Sequence, residues 1–182
     1  MKSMKSMRKL LVAVGVSVVL IAGAAAVSAS TGSNRDVTRD ATADATVQEA
    51  LQHMVEEEKL AHDVYVTLAD GTDLQMFDRI GTSEMRHEAE VQSLLTRYGL
   101  SDPTAGNGIG EFTDPAFATL YDQLVAQGSL SDTAALQVGV TIEQLDIADL
   151  ESRLGSSLPN DVADTFARLV AGSERHLAAF SR

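Results

Sequence analysis

Four stretches of this chain carry apolar side chains at alternating spacings of four and three, and each such seam is broken by polar residues at one level. The first reads Val47, Leu51, Met54, Glu58, Ala61, Tyr65, Leu68, and the second Phe77, Ile80, Glu84, His87, Val91, Leu94, Tyr98. The third reads Leu136, Val140, Glu143, Ile147, Leu150, Leu154, and the fourth Val162, Phe166, Leu169, Ser173, His176, Phe180. A seam of this period belongs to a helix that buries one stripe against its neighbours. No segment sustains period-two alternation, so a sheet is not expected.

Punctuation residues divide the seams. Gly71 follows the segment 46–70 and suits a left-handed turn after a helix, and Gly99 closes the segment 73–98. Pro103, Gly106, Gly108 and Gly110 mark 101–114 as an irregular connection, followed by a short helix at 115–127 that Gly128 ends. Ser131 is a good N-cap for the third long helix, Gly155 stops it, and Pro159 sits where the first turn of the fourth tolerates proline. The expectation is an all-α fold: an antiparallel four-helix bundle of two hairpins, with a crossover carrying a short extra helix.

The polar interruptions agree in depth. Glu58 lies 12 residues before Asp70 and Glu84 lies 11 after Asp73, so in an antiparallel hairpin they stand at nearly equal height. With a turn near Ser157, Glu143 is 14 residues before it and Ser173 is 16 after. Desolvated carboxylates in one layer repel each other and need partners. A divalent cation satisfies that need, and carboxylate oxygen with imidazole nitrogen suits iron, manganese or zinc. Glu-x-x-His, as at Glu84 and His87, puts both groups on one face of a helix. The metal ligands read from the seams are therefore Glu58, Glu84, His87, Glu143 and His176. Asp146, one turn beyond Glu143, is a further candidate, with a solvated flank as its other reading. Tyr65, one heptad from Glu58, reads as a supporting hydrogen-bond partner of the ligands, or as a plain core aromatic. His62 and His53 read as flank residues, His53 forming a surface pair with Glu57.

The N-terminus bears on location. Lys2, Lys5, Arg8 and Lys9 precede an apolar run from Leu10 to Ala26 and the small-residue pattern Val27-Ser28-Ala29, which together read as an export signal over 1–29 or an uncleaved membrane tether. Either reading places the folded part outside the cytoplasm, extracellular or in the cell envelope. Residues 30–45, rich in Ser, Thr, Asp and Ala, read as a flexible leader to a domain at 46–182. Removing 1–29 takes away four positive charges, so the formal charge of −12 becomes −12 − 4 = −16. Such a chain lacks the clustered Lys and Arg that nucleic acid requires. There is no cysteine, which excludes disulfides, thiolate metal sites and thiol nucleophiles.

Several pieces resemble a known family. These are Glu56-Glu57-Glu58-Lys59-Leu60-Ala61 leading to Asp63-Val64-Tyr65, Ser83-Glu84-x-x-His87, Arg97-Tyr98-Gly99-Leu100 with Asp102-Pro103, Ile142-Glu143, Asp146-Ile147-x-Asp149-Leu150, and Gly172-Ser173-x-x-His176-Leu177. Over about 47–181 the chain resembles the ferritin-like superfamily of di-iron carboxylate bundles, rubrerythrin-type, and is similar within it to an exported ferritin-like domain family of unknown function. The resemblance implies Glu58 rather than Glu57 as the first-helix ligand, and Glu84, His87, Glu143 and His176 after it. It also implies a glutamate at 173, where this chain has Ser173, which then stands beside the ligands rather than among them.

The activity so implied is that of an iron-dependent oxidoreductase, holding one or two ions that react with oxygen or hydrogen peroxide. Without cysteine there is no rubredoxin-type relay, so electrons come from substrate ferrous ion or an external donor. Catalytic residues beyond the ligands are not assigned, and a homodimer stays open. Two other readings stand beside it: a metal-binding or iron-buffering envelope protein without turnover, and a metal-free helical interaction domain.

Overall fold

The computed structural model describes residues 45–182. The export segment 1–29 lies outside the described residues, as does the leader 30–45 apart from Ala45, which already begins the first helix. The described residues form α1 (Ala45–Gly71), α2 (Met76–Arg97), α3 (Pro115–Gly128), α4 (Asp132–Leu154) and α5 (Asn160–Phe180), with no strand among them. No helix among them is long and apolar enough to cross a membrane.

α1 packs against α2, α2 against α5, α5 against α4 and α4 against α1, which closes a ring, while α3 lies on α1 and α4. Within the first pair Tyr65 meets Phe77 and Glu58 meets His87, so the helices run antiparallel. In the second, Gly139 meets Phe180 and Glu143 meets His176, with the same consequence.

Caps fix the starts. Asp114 accepts a hydrogen bond from Ala116 N (2.8 Å) ahead of Pro115, and Ser131 accepts one from Ala134 N (3.1 Å). Of the helix-closing glycines, Gly99 alone takes the left-handed conformation (φ 66°). Gly71 and Gly128 are the last residues of their helices, and Gly155 caps α4 with φ −70°.

The seams of α1, α2 and α5 are buried as the spacing predicts, apart from Tyr98, which caps the end of α2, and His176, both partly buried. That of α4 is rotated. Leu136, Val140, Ile147 and Leu154 are only partly buried, and Ala135, Val138, Ile142 and Leu150 fill the core with Glu143 and Asp146. The cause is that α4 is apolar on several sides because α1, α3 and α5 all cover it. A single 4-3 stripe cannot describe a helix with three neighbours. Gly139 belongs to the true stripe, since the ring of Phe180 occupies the place of a side chain there.

The core is two apolar clusters with a polar layer between them. One holds Leu60, Val64, Tyr65, Leu68, Phe77, Ile80, Val138, Ile142 and Phe180, and the other Leu51, Met54, Val55, Val91, Leu95, Leu150, Val162, Phe166 and Leu169. Each long helix passes from one cluster to the other and crosses the layer at the break in its seam.

Candidate metal centre

All five ligands read from the seams converge in this layer. Glu58 and Glu143 are each 1 % exposed, Glu84 2 % and His87 8 %, and the side chain of His176 is 11 % exposed. Glu84 is the pivot. Its Oε2 lies 2.8 Å from His87 Nδ1 and its Oε1 lies 2.7 Å from His176 Nδ1. Glu58 Oε2 stands 3.4 Å from His87 Nδ1, and Glu143 Oε2 stands 3.6 Å from His176 Nδ1. The imidazole rings stack with centroids 5.4 Å apart. The layer thus divides into two halves, Glu58 with His87 and Glu143 with His176, joined through Glu84.

Asp146 is buried too, so its flank reading is corrected: it is 5 % exposed and lies against Ser173. The rotation of α4 that displaces Leu136 and Ile147 is what turns Asp146 inward. Ser173 is fully buried and donates its hydroxyl to the carbonyl of Leu169 (3.1 Å).

The hydrogen-bonding capacity of the layer is not internally satisfied. Glu58 Oε1, Glu84 Oε1, His87 Nδ1, Asp146 Oδ1 and His176 Nδ1 are all buried without a hydrogen-bond partner. The imidazole nitrogens are close to the carboxylates but not aligned with them as donors. Donors aimed at a common point behave this way, and two atoms bonded to one ion at about 2.1 Å and at right angles lie about 3 Å apart. The donor set therefore fits a divalent transition cation.

Ionisation shifts follow from burial and crowding. Burial raises the carboxyl of Glu58 well above its ordinary value, with Asp146 adding repulsion, and burial with Glu57 does the same to Asp146. Burial lifts Glu143 to about 7. For Glu84 burial is outweighed by His176 and His87, and its carboxyl is held low. Burial opposes charge on His87 and His176, yet Glu58 and Glu84 carry the former up to about 10, and Glu143 and Glu84 carry the latter up to about 9. In the metal-free protein, protons on the histidines do the neutralising.

Other side chains hold these groups in place. Tyr65 donates to Glu143 Oε1 (2.7 Å), leaving Oε2 for the His176 side. His176 Nε2 pairs with Ser83 Oγ (3.0 Å), so Nδ1 is the nitrogen turned inward. Gly172 makes room for the other ring, because a Cβ there would stand 2.6 Å from Cε1 and Nε2 of His87. Ser83 and Gly172 carry no signal as single residues. They stand out only as neighbours of Glu84 and His176 in the two matching motifs.

The seam reading missed a second use of the acidic motif on α1. Glu56 Oε1 accepts from the backbone N–H groups of Thr113 (2.6 Å) and Asp114 (3.0 Å) at the start of α3. Lys59 pairs with Asp63 and donates to the carbonyl of Gly108 (2.7 Å), and Asp63 accepts from Gly110 N (2.9 Å). His62 Nδ1 pairs with Asp63 Oδ1 (2.9 Å) and takes no part in the layer. The spacing 56, 59, 63 is a second stripe beside the seam, which fastens the crossover. His53 meets Glu57, as read from their spacing, and also Asp149 on α4.

Comparisons place the chain among relatives. Residues 48–182 match the family model described as "Uncharacterized protein domain (DUF2202)". The chain is 45 % identical over 132 residues to "Uncharacterized protein MJ0754" of Methanocaldococcus jannaschii, covering 72 % of this chain and 71 % of that one. The crystal structure of the hypothetical protein MJ0754 is similar with a TM-score of 0.72 at 40 % identity, over 83 % of each chain.

Proposed function

We propose that this chain, which belongs to the uncharacterized DUF2202 family, is an exported metalloprotein with a ferritin-like, rubrerythrin-type four-helix bundle and a dinuclear carboxylate centre, iron being the favoured metal. The observation that carries this reading is Glu84, which offers one oxygen to each of two inward-turned imidazole nitrogens. Glu58 and His87 would hold one ion, Glu143 and His176 the other, with Glu84 shared. Asp146 is the further donor that the serine at 173 calls for. When bound in its reduced form, iron supplies the electrons that reduce oxygen or hydrogen peroxide.

The chain's own groups set the conditions. Tyr65 orients Glu143 and leaves one carboxylate oxygen free for the centre. Ser83 fixes which nitrogen of His176 faces inward. The apolar clusters on either side exclude bulk water, which strengthens every charge interaction in the layer. Electrons from beyond the centre come from substrate ferrous ion or an external donor, since the chain has no cysteine. Export rests on residues 1–29, and N-terminal sequencing of protein recovered from outside the cytoplasm tests it.

Protein loaded anaerobically with ferrous ion should consume oxygen or peroxide faster than free ferrous ion does. No acceleration would sink the oxidoreductase reading. A second reading, iron binding without turnover, is favoured by Ser173, whose hydroxyl is committed to Leu169 and leaves the layer one carboxylate short of a symmetric set. In that case the ions bind and stay unreactive toward peroxide.

A further inference from the structure

On the face where α1 meets α4, outside the buried layer, His53, Glu57 and Asp149 each turn one donor atom toward the others, all within 4.8 Å. His53 Nε2 lies 2.8 Å from Asp149 Oδ2 and 3.5 Å from Glu57 Oε2. Glu57 Oε2 is shut off from solvent and has no hydrogen-bond partner. The nearby guanidinium does not supply one. Arg153 is committed to Glu49 (3.0 and 3.4 Å) and stands 3.6 Å from Asp149. Burial opposes charge on His53, yet Asp149 and Glu57 carry it up to about 9, so three carboxylates share one guanidinium and one imidazolium and the metal-free cluster keeps a net charge of about −1.

The same three residues reach solvent. The side chains of His53 and Asp149 are 33 % and 43 % exposed, while that of Glu57 is 12 % exposed. A groove of about 600 Å³, lined in part by Gln48, Glu49, Gln52, His53 and Phe117, opens alongside. Glu143, Asp146 and Asp149 follow at intervals of three along α4, each step turning the side chain about 60° around the helix and advancing it about 4.5 Å. Asp146 lies between the two sites, influenced by Glu57 on one side and by Glu84 and Glu143 on the other.

We propose that His53, Glu57 and Asp149 form a second cation site at the surface, which takes a divalent transition ion from solvent and passes it inward by way of Asp146. Binding at the surface stands by itself, whereas the transfer rests on the proposed metal centre. One imidazole with two carboxylates is a donor set for iron, manganese, cobalt or zinc rather than for calcium, which prefers oxygen alone.

Co2+ is the probe. Full-length protein stripped by a chelator is titrated with Co2+, and crystals soaked in it are measured at the cobalt absorption edge. The expected anomalous map has a peak between His53, Glu57 and Asp149. The His53→Ala/Asp149→Asn variant should bind one equivalent fewer than the wild type and fill the inner layer at least tenfold more slowly at limiting Co2+. Glu58→Gln/Glu84→Gln should keep the surface equivalent. Equal stoichiometry in the wild type and the His53→Ala/Asp149→Asn variant, or a map without the surface peak, overturns the site. Unchanged filling rate overturns the transfer. A peak at the surface with none in the layer contradicts the proposed centre and leaves the surface site standing.

Discussion

Helix α1 buries charged side chains in two ways within eight residues. On one stripe, Glu56, Lys59 and Asp63 fasten the crossover, where Asp63 meets the Lys59 ammonium and Gly110 N–H, and Glu56 caps two backbone N–H groups. On the next, Glu58 enters a layer in which it, Glu84, His87, Asp146 and His176 each keep a buried atom without a hydrogen-bond partner. The crossover anchor is complete in the protein alone, and the layer is not. Since a buried polar atom left without a hydrogen bond costs about 1–3 kcal/mol, the contrast supports the proposed reading of the layer as a metal centre.

The largest effect should come from breaking the complete region. Lys59→Met leaves Asp63 charged and buried without its ammonium, a loss of about 3–5 kcal/mol that urea unfolding should register equally with and without metal. Metal should matter only to the other region. A thousandfold excess of free ferrous or manganous ion over its Kd should add about 4 kcal/mol to the wild type, and chelation should remove it. Gly172→Ala comes next. Its Cβ would push the His87 ring aside, so metal affinity should fall about 10–100-fold, with a stability loss of about 1–3 kcal/mol in the metal-free state.

A pair of substitutions then sharpens the contrast through opposite signs. Asp63→Asn should destabilise, because its carboxylate is fully partnered. Asp146→Asn should leave metal-free protein unchanged or stabilise it by about 1 kcal/mol, because a repelled carboxylate is lost, while metal affinity drops.

The smallest effect is in pH. Burial raises the Asp63 carboxyl, but His62, Lys59 and Gly110 outweigh it, so its folded value lies below the ordinary 3.8. The anchor therefore contributes stability above that value and loses it on acidification. In the metal-free layer Glu143 stands at about 7 against an ordinary 4.5, so its contribution is full below 4.5 and is lost as pH rises through 7. His87 and His176, raised from 6.5 to about 10 and about 9, contribute fully below 6.5 and lose that through 9 to 10. Metal-free protein should thus weaken as pH climbs from 4.5 to 10. Metal binding should release protons and tighten over the same range, which calorimetry in buffers of different ionisation enthalpy can follow. Stability rising with pH across that window in the metal-free protein would break the comparison.

Much of this was legible in the sequence because the seams of α1, α2 and α5 each face a single interior. Equal depth along the two hairpins was enough to gather Glu58, Glu84, His87, Glu143 and His176 at one level. The α4 seam misled, because three neighbours make several of its sides apolar, and with it went the certainty of Asp146. The anchor escaped notice for another reason. Glu56, Lys59 and Asp63 bind backbone atoms of Thr113, Asp114, Gly108 and Gly110, and an irregular connection has no period that reveals where its N–H and carbonyl groups will lie. The partnership of His53 and Glu57 with Asp149 is likewise invisible without the packing of α1 on α4.

The most direct test of the central claim is the transition-metal content of protein purified without added metal and desalted, measured by plasma mass spectrometry beside a Glu84→Gln/His87→Ala variant whose helicity is unchanged. The account predicts one to three equivalents of iron, manganese or zinc per chain in the wild type, with the layer's share absent from the variant. Equal metal content in the two proteins, or none in a wild type that also takes up none from ferrous, manganous or zinc solutions, would contradict it.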